Sequence, residues 1–155
     1  MDVTIERVSG PSDEIRELVD ELNVALSGPY LPEQHHSVPF EQLFDGSVRF
    51  FVARLDGVAV GCGGVALDVG FAEVKRMYTR PTARRAGVAR SVLRRLEEEA
   101  RGAGYSLLRL ETGMYQDEAN AFYSREGFEE CDAFGAYAAM TATEIETSVF
   151  YEKSI

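Results

Sequence analysis

The chain has 155 residues, 45% of them apolar, and a formal net charge of −10 at pH 7; this suits one domain (residues 1–155) around one continuous core and excludes a disordered or fibrous protein. So acidic a chain does not bind nucleic acid through its overall field, and its two cysteines, Cys62 and Cys131, exclude a disulfide framework. No basic leader with an apolar run opens the chain, and the weakly polar stretch 58–67 is too short to cross a bilayer, so a cytoplasmic protein without a membrane partner is expected.

Residues 3–8 alternate apolar and polar side chains, which predicts a half-buried strand. Ser12 or Asp13 can cap a helix in which Ile15, Leu18, Val19, Leu22 and Leu26 recur at helical spacing, and Gly28-Pro29 ends it. Residues 30–39 read as a loop holding both histidines, and residues 40–44 as a short helix. Residues 49–55 and 58–68 are strands joined at Asp56-Gly57, a two-residue hairpin signal, and residues 71–79 extend the antiparallel meander. Ala89, Val92, Leu93, Leu96 and Ala100 share one face of a helix over 88–101, which Gly102 and Gly104 stop.

Residues 107–112 form a buried strand, parallel to the preceding one because a helix connects them. A helix from Asp117 or Glu118 to Arg125 follows, with closing strands at 128–132 and 148–153. The order β-α-α-β-β-β-α-β-α-β-β predicts an α/β (α+β) fold. Its sheet is mixed and mostly antiparallel, with six or seven strands and about four flanking helices.

Basic residues are concentrated. Lys75, Arg76, Arg80, Arg84, Arg85, Arg90, Arg94 and Arg95 are half of the 16 Lys and Arg residues, with no acid among them. Such a run is either a solvated helix face or a place for a small anion. The turn Arg84-Arg85-Ala86-Gly87-Val88-Ala89 favours the anion, because it sits between a strand and a helix start. The first helical turn has unpaired N–H groups and a partial positive charge that attract phosphate. Gly87 and Ala89 let a ligand approach the backbone closely. The turn is neither a P-loop nor a dinucleotide fingerprint, lacking Gly-Lys-Ser/Thr and G-x-G-x-x-G.

Arg84, Gly87 and Ala89 match the pattern Q/R-x-x-G-x-G/A, residues 71–81 resemble the strand that precedes it, and residues 120–128 resemble an N-x-x-Y helix ending in Gly-Phe. In order and spacing these three blocks resemble the GNAT acetyltransferase superfamily over residues 51–130, in its small stand-alone bacterial form. The resemblance implies a GNAT fold. It also implies a transferase moving acetyl from acetyl-coenzyme A, a co-substrate, to a primary amine of a small molecule or amino acid in a ternary complex, without a metal. A protein or peptide acetyltransferase and a non-catalytic acetyl-coenzyme A sensor are the alternatives. The family also lends the expectation of a homodimer through the C-terminal strands. Many members have Gly where Arg85 and Ala89 stand, so Arg85 either makes the turn shallower or adds a phosphate contact.

Thioester aminolysis needs a neutral amine, a held carbonyl and a proton for the leaving thiolate, and alkyl ammonium groups titrate near pH 10. By the resemblance, Glu73 is the general base and the Met77 N–H holds the acetyl carbonyl. Met77, Tyr78 and Thr79 line the pantetheine arm, Arg84 to Arg90 hold the pyrophosphate, and Tyr123 is the general acid with Asn120 beside it at helical spacing. Strand alternation puts Glu73 and Met77 on one face, unless the bulge common in the family breaks it. Glu73 could instead pair with Lys75 or Arg76 and hold structure, and Glu111 on the next strand is the competing carboxylate.

Phe134, Tyr137 and His35 join Glu111 as candidates for the acceptor pocket, which the first helix, the 30–39 loop and a C-terminal hairpin would build. Phe122, Phe128 and Cys62 are assigned to the core. The glycines beside Cys62 allow close packing or a bulge.

Overall fold

A computed structural model describes residues 2–155. Seven strands form one sheet in the order β1-β2-β3-β4-β5-β7-β6. The first four, β1 (Val3–Val8), β2 (Arg49–Leu55), β3 (Val58–Leu67) and β4 (Ala72–Thr79), run antiparallel to their neighbours. The turn between β2 and β3 has positive φ at both Asp56 (50°) and Gly57 (79°), which matches the twist of a two-residue hairpin.

After β4 the chain forms α2 (Val88–Gly102) and crosses over to β5 (Leu107–Gly113), which is parallel to β4 as expected. Next come α3 (Asp117–Arg125), β6 (Glu129–Glu130), the one-turn α4 (Ala142–Ile145) and β7 (Ser148–Ser154), which pairs with both β5 and β6.

Each face of the sheet carries a core. Phe50 and Phe51 are both fully buried yet join different clusters, because successive strand residues point to opposite faces. Burying each such side chain contributes roughly 1.5–3 kcal/mol. On one face Val92, Leu93, Leu96 and Ala100 of α2 pack on Phe51, Val74, Leu108 and Leu110, together with Tyr123 and Phe128. On the other, α1 (Asp13–Ser27) lays Ile15, Leu18 and Val19 on Phe50, Val52 and Cys62. The Ser12 hydroxyl caps α1 by accepting from the Ile15 N–H at 3.2 Å.

One expectation about the strands is corrected. The closing strand at 128–132 shrinks to Glu129–Glu130, because the chain leaves the sheet edge for a 3₁₀ turn over Gly135–Ala139. These two residues still pair antiparallel with β7, so the C-terminal hairpin has a long connection in place of a tight turn. That 3₁₀ turn and α4 lie between β6 and β7, and Phe134 and Tyr137 pack with Phe71 and Phe150 in a third small cluster. On β4 the bulge alternative holds, and Glu73 and Met77 do not share a face. Arg76 adopts φ +56°, and the β3–β4 register slips between Cys62 and Gly64. This bulge turns Arg76 toward Asn23 of α1, while Met77 packs toward α2. Gly63 lies opposite the bulge, where a Cβ would come within 2.6 Å of Met77 Sδ and 2.7 Å of Val92 Cγ1.

Candidate active site

The site begins where two strands part. β4 and β5 pair only at Ala72↔Leu108 and Glu73↔Arg109, so from Val74 onward β4 has no strand partner on its β5 side. The gap opens into a cavity of about 1620 Å³. Its walls are Glu73 to Thr79 of β4, Leu110 to Gly113 of β5, the turn before α2, α3, the end of α1 and the 34–38 loop. An unpaired strand edge is a row of main-chain donors and acceptors ready to receive an extended ligand.

At one end of the cavity lies the turn into α2. Arg85 (φ 68°) and Gly87 (φ 77°) are both left-handed, and the first backbone bond closing α2 runs from Ser91 N–H to the Gly87 carbonyl. The N–H groups of Val88, Ala89 and Arg90 therefore have no intrahelical acceptor and are open to an acceptor from outside the helix.

The basic run itself is divided. Lys75 pairs with Glu73, Arg80 with Glu21, Arg84 with Glu118, Arg90 with Glu126 and Arg95 with Glu99. Arg76 reaches Asn23. The run is thus not one bare cation cluster: at the turn, main-chain donors stand beside the exposed Arg85, which makes no ion pair among the described residues.

Further in, two carboxylates line the cavity from the two parting strands. Glu73 Oε2 accepts a hydrogen bond from the Tyr137 hydroxyl at 2.7 Å and lies 3.0 Å from Lys75 Nζ. Burial, with the charge of Glu73 beside it, pushes the Tyr137 phenol well above its usual range. Glu111 Oε2 accepts from Ser148 Oγ at 2.7 Å. Burial holds the Glu111 carboxyl above the ordinary carboxylate value, although the Ser148 hydrogen bond works against it. His36 stands at the same place, its ring edge-on to Tyr137 at 5.6 Å and its Nε2 2.7 Å from the Glu144 carbonyl.

Residues 15–128 match the family described as Acetyltransferase (GNAT) family. The chain belongs to the GNAT family. It is 44% identical over 137 residues to the IAA acetyltransferase of Azospirillum brasilense, covering 87% of this chain and 90% of that one. The Bacillus subtilis N-acetyltransferase YsnE, itself uncharacterized, is 32% identical over the full length of both. A crystal structure from Klebsiella pneumoniae, provisionally assigned as an acyl-CoA N-acyltransferase, superposes with a TM-score of 0.76 at 32% identity, over 98% of this chain and 97% of that one. The PaiA N-acetyltransferase of Thermoplasma acidophilum, solved with coenzyme A, shares the fold at 17% identity and a TM-score of 0.72 over all of both chains.

This GNAT enzyme is an acetyl-CoA-dependent N-acetyltransferase, and the unpaired β4 edge, the open N–H groups of the turn and the size of the cavity all fit acetyl-CoA. Among the described residues no helix is long and apolar enough to cross a membrane.

The residues named from sequence fall into three groups. Glu73, Met77, Tyr78, Thr79, Arg84, Arg85, Gly87, Val88, Ala89, Arg90, Glu111, Tyr123, Tyr137 and His35 line the cavity, His35 on its exposed rim against Tyr30. Asn120 and Phe134 do not. Asn120 donates to the Gly113 and Gln116 carbonyls and accepts from Tyr151, so its side chain seats α3 on the sheet. Phe134 packs behind Tyr137. Ala86 lies in the turn without lining the cavity.

Cys62 is buried in the core, where burial pushes its thiol up to about 12, as suits a packing residue rather than a nucleophile. Phe128 is buried as expected, whereas Phe122 is half-buried and lines the cavity. Sequence reasoning passed over Ser148 as a site residue and placed Lys75 and Arg76 only in the basic run. Arg76, His36 and Ser148 find partners 53, 108 and 37 positions away, so no local spacing marks them, whereas Lys75 pairs with Glu73 two residues back.

Proposed function

We propose that the enzyme acetylates a primary amine of a small molecule or amino acid by direct transfer in a ternary complex, with Glu111 as the general base. The observation that carries this reading is the pair of carboxylates facing one cavity across the strand gap, with different commitments. Glu73 is engaged by Tyr137 and Lys75. Glu111 accepts only from the neutral Ser148 hydroxyl and has no cation partner among the described residues, and burial raises its proton affinity above that of an ordinary carboxylate.

Glu111 takes the proton of the incoming ammonium, directly or through one water. The Met77 amide, in the unpaired part of β4, donates to the acetyl oxygen as charge develops there. Tyr123 completes the transfer by protonating the leaving thiolate. Burial keeps this phenol well above its usual range, so it holds its proton at working pH, and its hydroxyl makes no hydrogen bond among the described residues. The turn at Val88 to Arg90 anchors the pyrophosphate, with Arg85 free to add a contact.

Thiol release from acetyl-CoA, measured against a panel of amines, amino acids and peptides, tests the reading. A small amine or amino acid should turn over, and Glu111→Gln should lower kcat/KM about 100-fold and remove the acid limb of the pH profile. Glu73→Gln should cost less and keep that limb. Loss of the limb in Glu73→Gln alone would move the base to Glu73. Turnover on peptides alone would favour a protein acceptor.

A further inference from the structure

Arg76 is the one buried cation of the cavity wall with no carboxylate. The residue is 9% exposed, and its Nε and Nη1 are shielded from water without a hydrogen-bond partner. Nη2 donates to the Asn23 carboxamide at 2.6 Å, and Asn23 itself is exposed at the cavity mouth. The cations on either side along the chain are neutralised, Lys75 by Glu73 and Arg80 by Glu21. A buried guanidinium left with two open donors is a strong anion receptor, because its fork matches a carboxylate bidentately and no water competes. Burial without a counter-charge also depresses its proton affinity, which an arriving anion reverses.

The position of this receptor selects the anion. Arg76 immediately precedes Met77, so its side chain leaves the strand beside the place of the acetyl group, on the α1 side of the bulge. Glu111, whose carboxylate accepts from Ser148 and has no cation partner among the described residues, lines the same cavity. A ligand lying between Glu111 and Arg76 meets negative charge at one end and an unpaired positive charge at the other, the complement of an amino carboxylate.

From these observations we infer that the acceptor is an amino acid with a free carboxylate, which Arg76 binds while the Glu111 carboxylate receives its ammonium group. The acceptor carboxylate displaces the Asn23 carboxamide, and a turn of the guanidinium presents Nε and Nη1 to it. Asn23 then serves as a placeholder for the acceptor. This inference rests on the amine-acetylating reading above and narrows its substrate class.

The test compares initial rates of thiol release for L-amino acids and their carboxamides at saturating acetyl-CoA. The free acids should be preferred in kcat/KM by about 10- to 100-fold, the range of a charged hydrogen-bonded pair. In Arg76→Met the acid-to-amide ratio should fall about 10- to 100-fold below that of the parent enzyme, through a higher KM for the acids. The intrinsic difference in amine basicity is common to both enzymes and cancels in that comparison. Arg76→Lys, which keeps charge but lacks the fork, should restore only part of the preference.

Thermal midpoints separate binding from folding: removing an unneutralised buried charge should leave Arg76→Met as stable as the parent or more so. Equal rates on acids and amides, or a preference that survives in Arg76→Met, overturns the inference while leaving the amine reading standing. Coenzyme A binding by calorimetry without turnover on any amine overturns the amine reading and the inference together.

Discussion

The two halves of the cavity are built in different ways. The half proposed for acetyl-CoA is main chain: the unpaired edge of β4 and the N–H groups of Val88, Ala89 and Arg90, all within one stretch of sequence. The acceptor half is side chains gathered from far apart. Tyr137 reaches Glu73 across 64 positions, Ser148 reaches Glu111 across 37, and Arg76 reaches Asn23 across 53. A ligand held by main chain needs the right backbone path and tolerates many side chains. A ligand held by side chains depends on each of them, so acceptor choice can change while the acetyl-CoA half stays as it is.

Backbone geometry in the turn should therefore matter more than charge. Gly87→Ala forces a Cβ into φ 77°, although nothing lies within 4 Å of it. The strain of about 1–2 kcal/mol should weaken coenzyme A binding about tenfold by calorimetry. An unchanged Kd would mean that the turn is not the anchor.

In the acceptor half, Ser148→Ala removes the hydrogen bond that holds Glu111 down, so its pKa rises further. The base works only when ionised, so the acid limb of the pH–rate profile should move to higher pH. The rate at pH 7 should fall several-fold with coenzyme A affinity unchanged. A shift to lower pH would contradict the role given to Glu111.

The smallest effect belongs to Arg85→Ala, which removes a solvated cation from the turn and leaves its amides. Coenzyme A affinity should drop about two- to threefold at low salt and less at high salt. A tenfold loss would mean that side-chain charge, rather than main chain, does the holding.

How much was legible follows the same division. The strands, α1 with its Ser12 cap, α2 and the turn before it depend on alternation, helical spacing and capping, all local in sequence. The bulge at Arg76 was not readable in detail, because it depends on Gly63 of the neighbouring strand giving Met77 room. That one extra residue reversed the expected facing of Glu73 and Met77. Glu73 was singled out by motif position. Its engagement by Lys75 and Tyr137, and the lighter commitment of Glu111, are properties of neighbours.

Sequence by itself determined the family, the strand order along the chain, the three longer helices and the turn before α2, because alternation, helical spacing and a glycine at a helix start are specified by adjacent residues. Only the tertiary structure decided which carboxylate has no cation partner, which buried arginine has no carboxylate and which aromatic faces the cavity. A side chain's proton affinity and availability are set by what packs against it, and here those groups arrive from distant parts of the chain.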